Sequence, residues 1–212
     1  MSMELDHFFI LAEPGAPAAS LLTDIGLVEG TANDHPGQGT SNRRFFFANS
    51  MLELLYIRDA REAAAGPGSR LRLTERIADR SSSPFGLVFK ATDESSSEHF
   101  PGWQYFPEYL SADQYFHVGE NSDHFDEPLC ILLPQTSSQP TRQPGNGRFD
   151  YVTEVRVSFP SRRTSPVLEK VGQCRMLSLI SGESHLMEIV FNGHRDHLSE
   201  DFRPFLPLTI SW

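Results

Sequence analysis

The chain has very little cysteine and contains no long apolar run. Cys130 and Cys174 are the only cysteines among 212 residues, and each lies in an apolar stretch. Because no Cys-x-x-Cys pair is present, we expect two buried free thiols rather than a disulfide or a cysteine-bound metal. No apolar segment approaches the roughly 18 residues that a membrane span needs. No basic region followed by an apolar core opens the chain, so a signal peptide is not predicted. We therefore expect a cytoplasmic protein without a membrane partner.

Positive charge is also scarce. Lys and Arg number 18 against 28 Asp and Glu, which gives a formal net charge of −10. Nucleic-acid binding needs a basic surface to meet phosphates, so this balance argues against a nucleic-acid partner. We attribute the acidic excess to solubility. The chain has neither a GxSxG nucleophile elbow nor a GxGxxG run after a strand, and the Lys-Ser/Thr of a phosphate loop is missing from its glycine-bearing segment. We therefore expect no nucleotide cofactor.

The residues that are present predict an α+β fold. A chain of this length with 39% hydrophobic residues and 16 Phe can bury a substantial core. We expect repeated β-α-β-β-β modules whose curved mixed sheet cups a central cavity. The expected divisions are a first module over residues 1–60, a helix with a strand-rich segment over 61–135, a linker over 136–148, and a further β-α-β-β module with a C-terminal tail over 149–212.

Apolar runs bounded by Gly, Pro, Asn and Ser give the individual elements. The main predicted strands are residues 3–11, 43–48, 51–57, 85–91, 115–118, 129–133, 151–159, 174–180 and 185–191, and the predicted helices are residues 18–25, 69–78 and 165–171. The tail over residues 202–212 is predicted to be an extended edge strand, because it is apolar and carries two prolines.

One pattern of polar residues on apolar strands occurs twice. Aligning residue 5 with residue 152 matches His7 with Glu154, and aligning residue 52 with residue 187 matches Glu53 with Glu188. A carboxylate buried without a partner is unfavourable, so an acidic residue in an apolar strand indicates a metal, a base or a donor network. Histidine with carboxylates suits Zn, Fe, Mn, Ni or Mg, with open positions for substrate. Alternatively, Glu53 and Glu188 face solvent or bond to a turn.

Two further regions are candidates for contact with a small-molecule ligand. The segment His-Pro-Gly-Gln-Gly-Thr-Ser-Asn-Arg over residues 35–43 has glycines that permit close backbone approach and polar side chains that hydrogen-bond. Its candidate binding residues are His35, Thr40, Asn42 and Arg43, with a structural turn as an equal alternative. In the middle segment, His117 is a candidate to enter the cup, with a surface-loop histidine as the alternative that is more common in proteins. Aromatic residues there are candidates for an apolar pocket or for the core, namely Trp103, Tyr105, Phe106 and Tyr109.

Three parts of the N-terminal segment together resemble the glyoxalase-like branch of the vicinal oxygen chelate superfamily. They are the Leu-Asp-His run that ends at His7, residues 35–43, and the Met-Leu-Glu-Leu run around Glu53. The resemblance implies paired β-α-β-β-β modules around a cup. In metal-dependent members it implies a divalent ion that chelates a substrate through adjacent oxygens, here with His7 and Glu53 as ligands. Completed by Glu154 and Glu188, the set would hold one His and three Glu, with Glu53 and Glu188 also as candidate proton carriers.

The partner of the first module remains open between residues 85–133 and residues 152–191. The first choice places Phe85 or Gly86, which do not bind metals, where the ligand should be, and its last strand has no glutamate. Three functions follow from these alternatives. One is a metal-dependent lyase, isomerase or dioxygenase-type enzyme acting on a small oxygenated substrate. The second is a metal-free protein that binds or sequesters a small molecule. The third is a structural partner protein whose cup forms a homodimer interface.

Overall fold

The computed structural model describes residues 3–92, 100–133, 147–160 and 164–212, so most of the linker predicted over 136–148 lies outside the described residues. The strands, in chain order, are β1 Met3–Leu11, β2 Asn33–His35, β3 Thr40–Phe46, β4 Met51–Ile57, β5 Phe85–Ala91, β6 Gly102–Tyr105, β7 Phe116–Gly119, β8 Leu129–Leu132, β9 Val152–Phe159, β10 Leu177–Ser181, β11 Leu186–Phe191, β12 Ser199–Asp201 and β13 Leu208–Ser211. The α-helices are α1 Ala19–Asp24, α2 Ala60–Ala65, α3 Leu73–Ala78 and α4 Pro166–Val171. None of these helices is long and apolar enough to cross a membrane.

The first eight strands form one strongly curled mixed sheet, in the order β2-β3-β4-β1-β5-β8-β7-β6. β1 lies parallel to β4, and β5 lies parallel to β8. The two halves join where β1 runs antiparallel to β5, with Phe8 opposite Leu87. The partner of the first module in this sheet is therefore residues 85–132, and each half contributes four strands. The fold class predicted from the sequence, an α+β chain with a curved mixed sheet around a cavity, is confirmed.

The last five strands form a second mixed sheet, in the order β10-β9-β11-β13-β12. Alternate residues of β9, among them Val155 and Val157, share one continuous core with Phe8 and Ile10 of β1. The second sheet thus covers the convex face of the first sheet and leaves the concave face to form a cavity. Aromatic rings close one end of this core, where Phe149 makes edge-to-face contacts. Such rings bury a large apolar surface and contribute strongly to the stability of a core.

The two cysteines are both buried and unpaired, as predicted. Burial raises the pKa of the Cys130 thiol to about 12, so this thiol stays protonated near neutral pH. The helix predicted over residues 69–78 is divided in two. A 3-10 helix, Pro67–Leu71, precedes α3, and Arg72 between them adopts a left-handed backbone with φ of 56°. The break allows α3 to direct Arg76 into the protein interior.

Candidate functional site

A cavity of about 570 Å³ lies on the concave face of the first sheet. The first module supplies most of its polar lining, chiefly Asp6, His7, His35, Arg44 and Glu53. The alternation of side chains along a strand explains how largely apolar strands place these polar residues in the cavity. In β1 the side chains of Phe8 and Ile10 enter the core, whereas His7 lies on the opposite face of the strand.

The second module lines the other side of the cavity with apolar and aromatic side chains. Val88 of β5 and Leu129 and Ile131 of β8 face the cavity from the two strands of this module that lie nearest β1. Tyr105 of β6 and Phe116 of β7 continue the wall. The Tyr105 hydroxyl is buried and makes no hydrogen bond within the described part of the chain. Burial raises the pKa of Tyr105 to about 12, with the charges of nearby glutamates adding to the effect. One half of the cavity is therefore polar and the other largely apolar.

A β-bulge places two consecutive residues of β1 in the same cavity. The register of β1 against β5 shifts between Leu5 and His7, so Asp6 lies at the irregularity. The Asp6 carboxylate lies 2.8 Å from Nδ1 of His7. Because an ionised carboxylate only accepts hydrogen bonds, Nδ1 of His7 carries the proton and donates it to Asp6. In the neutral form of the ring, Nε2 of His7 is then a hydrogen-bond acceptor.

Glu53 is an acidic residue of the cavity that is buried without an ion pair in the described part of the chain. Its side chain lines the cavity, and the residue is only 8% exposed. Within residues 3–92, 100–133, 147–160 and 164–212, no group forms a hydrogen bond or ion pair with its carboxylate. Arg44 stands opposite Glu53 in the pairing of β3 with β4. Its Nε atom instead donates to the carbonyl of Thr31 at 2.6 Å, and its Cζ lies 5.1 Å from the centroid of the Phe46 ring.

His35 lies at the end of a buried chain of hydrogen bonds. Its Nδ1 is 2.9 Å from the hydroxyl of Thr40, which also accepts from the side-chain amide of Gln38 at 2.8 Å. The hydroxyl of Tyr109 donates to the amide oxygen of Gln38 at 3.0 Å. Burial lowers the pKa of His35 from its ordinary value of 6.5, and the nearby charge of Glu53 opposes this shift without reversing it. His35 is therefore neutral at pH 7.

This burial predicts a pH dependence of stability that His35 controls. Below pH 6.5 the unfolded chain binds a proton at this histidine, whereas the folded chain stays neutral until its lowered pKa is reached. Because the unfolded state binds more protons in that window, stability falls as the pH decreases from 6.5. We expect His35→Gln to lose less stability than the wild type in urea unfolding at pH 5 compared with pH 7. The exposed histidine variant His124→Gln is the control. Equal pH slopes for wild type and His35→Gln would contradict the assignment.

The remaining predicted residues of the segment 35–43 support the site without lining the cavity. Thr40 holds His35, and the side-chain oxygen of Asn42 accepts from the backbone N–H of Asn33 at 2.8 Å. Arg43 faces away from the cavity and donates from Nε to Glu29 at 2.6 Å. The next residue, Arg44, lines the cavity instead and was not predicted from the sequence. Arg44 lies two residues after Asn42 on the same strand. Because side chains two residues apart share one face of a strand, the choice of Asn42 would also have predicted Arg44.

Trp103 and His117 also lie outside the cavity lining, unlike the sequence prediction. Trp103 donates from its indole N–H to the hydroxyl of Ser122 at 3.2 Å, and its ring stacks under the guanidinium of Arg70 at 4.1 Å. Nε2 of His117 lies 2.7 Å from the carbonyl of Phe100. Tyr105 of β6 and Phe116 of β7 line the cavity instead, and Tyr109 lines it from the connection between these two strands.

The structure does not bring the four expected metal ligands together. His7 and Glu53 share the cavity, but Glu154 and Glu188 lie in the second sheet, on the face opposite its core residues. There Arg156 binds both, at 2.8 Å from Glu154 and 3.1 Å from Glu188, and it lowers the pKa of Glu154. The alignment that matched Glu53 with Glu188 fails physically because β4 runs parallel to β1, whereas β11 runs antiparallel to β9.

The donor set around the cavity does not complete a metal site. Val88 on β5 and Ile131 on β8 face the cavity, and neither side chain can bind a metal. Across the described part of the chain, no three His, Cys, Asp or Glu residues are grouped closely enough to hold a metal ion. Two potential metal ligands, His7 and Glu53, line the cavity from the first module.

One comparison with a solved structure supports the fold. No protein-family model matches the chain, and no curated protein matches it. A hypothetical protein from Staphylococcus aureus has a similar structure, with a TM-score of 0.60 and 11% identity over 99% of both chains. A hypothetical protein from Bacillus halodurans has a TM-score of 0.43 and 13% identity, over 66% of this chain and 100% of its own. A mutant 4-hydroxymandelate synthase from Streptomyces coelicolor has the same TM-score and identity, over 99% of this chain and 62% of its own.

Proposed function

We propose that this chain is a glyoxalase-like protein that binds a small amphipathic organic molecule in the cavity of its first sheet. The observation that carries the proposal is the division of the cavity lining. His7, His35 and Glu53 offer polar groups from the first module, and the wall around Leu129 and Ile131 offers an apolar surface from the second. A volume of about 570 Å³ falls within the roughly 300–1,000 Å³ typical of small-molecule sites.

The two halves of the cavity have different roles in this proposal. The apolar wall removes the body of the ligand from water, which supplies most of the affinity in such sites. The polar groups fix the orientation of the ligand, because a wrongly placed ligand would leave Glu53 or His7 without a partner. The Tyr105 hydroxyl, also buried without a hydrogen bond in the described structure, provides a third polar contact from the opposite side.

A side chain that fills the cavity is expected to abolish ligand binding. Tryptamine, tryptophol and indole-3-acetate share an indole body and differ in their polar end, so together they probe the site by calorimetry. We expect Val88→Phe to weaken the binding of the tightest of the three by about tenfold or more, because the new ring occupies the volume that the indole needs. The matched control is Val28→Phe, at a position that is 55% exposed.

A loss of binding in Val88→Phe could arise from a filled cavity or from misfolding of the variant. Circular dichroism establishes whether Val88→Phe is folded, and Leu129→Phe provides a second filling variant on the neighbouring strand. Folded filling variants that bind the probe as tightly as the wild type would show that the ligand does not occupy this cavity. Absence of binding for all three probes to the wild-type protein would overturn the proposed function.

A metal-dependent lyase, isomerase or dioxygenase is the second candidate function. It is favoured by one observation, which is that Asp6 fixes the Nδ1 proton of His7 and leaves Nε2 free to bind a metal, as carboxylates hydrogen-bonded to metal-bound histidines do. The test is metal content by elemental analysis of protein purified without a histidine tag. Near-stoichiometric metal that disappears in a His7→Ala/Glu53→Ala double variant would replace the metal-free proposal. No uptake of Mn, Fe, Ni or Zn would exclude the chelate site.

A further inference from the structure

The carboxylate of Glu53 forms no ion pair or hydrogen bond with the described part of the protein. Glu53 is only 8% exposed, and its neighbours in the sheet are Phe9 on β1 and Arg44 on β3. Phe9 offers no donor, and Arg44 makes its hydrogen bond to the carbonyl of Thr31. A ligand that fills the cavity would take this carboxylate out of water, and a carboxylate removed from water is strongly unfavourable unless a cation or several donors meet it. The cavity is the side from which a partner can approach.

The other polar groups nearby offer hydrogen-bond acceptors more than donors. His7 donates its Nδ1 proton to Asp6 and presents a lone pair at Nε2. Asp6 is itself a second carboxylate in the lining. His35 is neutral and adds no positive charge. Among the described residues that line the cavity, Arg44 is the only permanent cation, and its contacts with Thr31 and the Phe46 ring hold it apart from Glu53.

Resting on the proposed function, we infer that the ligand of this cavity is an organic amine that binds in its protonated form. Its ammonium group meets the carboxylate of Glu53 and donates a second hydrogen bond to Nε2 of His7. Its apolar body lies against the second-module wall. The aromatic rings of that wall, Tyr105 and Phe116, give this apolar body a large contact area.

The three indole probes test this inference with the unaltered protein. Tryptamine carries an ammonium group where tryptophol carries a hydroxyl and indole-3-acetate a carboxylate. We expect tryptamine to bind tightest, by roughly 10- to 100-fold over tryptophol, and indole-3-acetate to bind weakest. If tryptophol or indole-3-acetate binds as tightly as tryptamine, the cavity binds a ligand but the amine assignment is wrong. If none of the three binds, the proposed function itself fails.

A variant pair then assigns the preference to Glu53. Glu53→Gln keeps the shape of the side chain and removes its charge, so we expect it to lower the affinity for tryptamine by roughly 10- to 100-fold and that for tryptophol by about twofold or less. Glu200→Gln removes an exposed carboxylate on β12 of the second sheet and is expected to change neither affinity. Equal losses for both probes in Glu53→Gln, or an equal loss of tryptamine affinity in Glu200→Gln, would overturn the role of Glu53.

Discussion

Replacing Arg76 with methionine is expected to lower the free energy of unfolding by about 3–5 kcal/mol. Arg76 lies on α3 and is only 2% exposed. Its guanidinium donates to five backbone carbonyl groups, at 2.8 Å for Glu127, 3.1 Å for Ser122, 3.3 Å for His124, and 3.4 Å for Ser83 and Phe125. These carbonyls belong to the segments that precede β5 and β8. One side chain therefore joins α3 to the segments that lead into β5 and β8.

The size of this effect follows from what methionine leaves behind. Burial lowers the pKa of Arg76 to about 10, so the guanidinium is still charged at neutral pH. Its charge is met by carbonyl dipoles, and two of the five carbonyls also accept a backbone N–H group. Methionine fills much of the volume but leaves the other three, those of Ser83, Ser122 and Glu127, without their donor, and each buried unsatisfied polar group costs about 1–3 kcal/mol.

Urea unfolding followed by circular dichroism measures the loss. Arg61→Met is the matched control, because it makes the same substitution at an exposed arginine on α2 and is expected to change stability by about 0.5 kcal/mol or less. If Arg76→Met were no less stable than Arg61→Met, the carbonyl contacts would contribute little to the fold.

The central strands of the first sheet were predictable from the sequence. β1, β4 and β5 begin and end at the residues that the apolar runs indicate. Strands buried on both faces read as continuous apolar runs, and Gly, Pro or polar residues end them clearly. The short outer strands β6 and β12 were missed, because strands of three or four residues carry little pattern and one of them lies in a polar stretch.

The pairing of the modules was not predictable, and the metal-ligand set depended on it. β1 and β5 lie about 80 residues apart in the chain, and neither apolar run carries a signal that selects the other as its neighbour. The later unit around β9 offered a better match of polar residues, so Glu154 was aligned with His7. Strand alternation shows that a residue is on one face of its sheet, but it does not tell which of two sheets the face belongs to.

Replacing Gly39 with alanine is the second large effect that we expect, at roughly 2–5 kcal/mol of lost stability. The sequence indicated that the glycines near His35 permit close backbone approach, and the structure shows that the approach is to α2. Gly39 has a φ of +69°, and a Cβ there would lie 2.4 Å from the backbone nitrogen of Ala63 and 2.5 Å from the carbonyl oxygen of Asp59. Backbone atoms held in a helix cannot move aside as a flexible side chain can.

Gly15→Ala separates the two contributions to this loss. Gly15 has a similar φ of +78° but nothing within 4 Å of the position of the added Cβ. Its replacement therefore measures the left-handed backbone alone, for which we expect about 1–2 kcal/mol. The excess for Gly39→Ala in urea unfolding then reports the contact with α2. Equal losses in the two variants would mean that backbone conformation, not packing against the helix, requires glycine at residue 39.

The same substitution is expected to weaken the candidate site. The carbonyl of Gly39 accepts hydrogen bonds from the backbone N–H groups of Arg58 and Asp59, at 2.9 and 3.0 Å. These bonds fix the segment in which Gln38 and Thr40 hold His35 in the cavity. A Cβ at residue 39 displaces that segment from α2, so Gly39→Ala should reduce the affinity for tryptamine while Gly15→Ala leaves it unchanged. Unchanged affinity in a folded Gly39→Ala protein would show that the position of His35 does not depend on this packing.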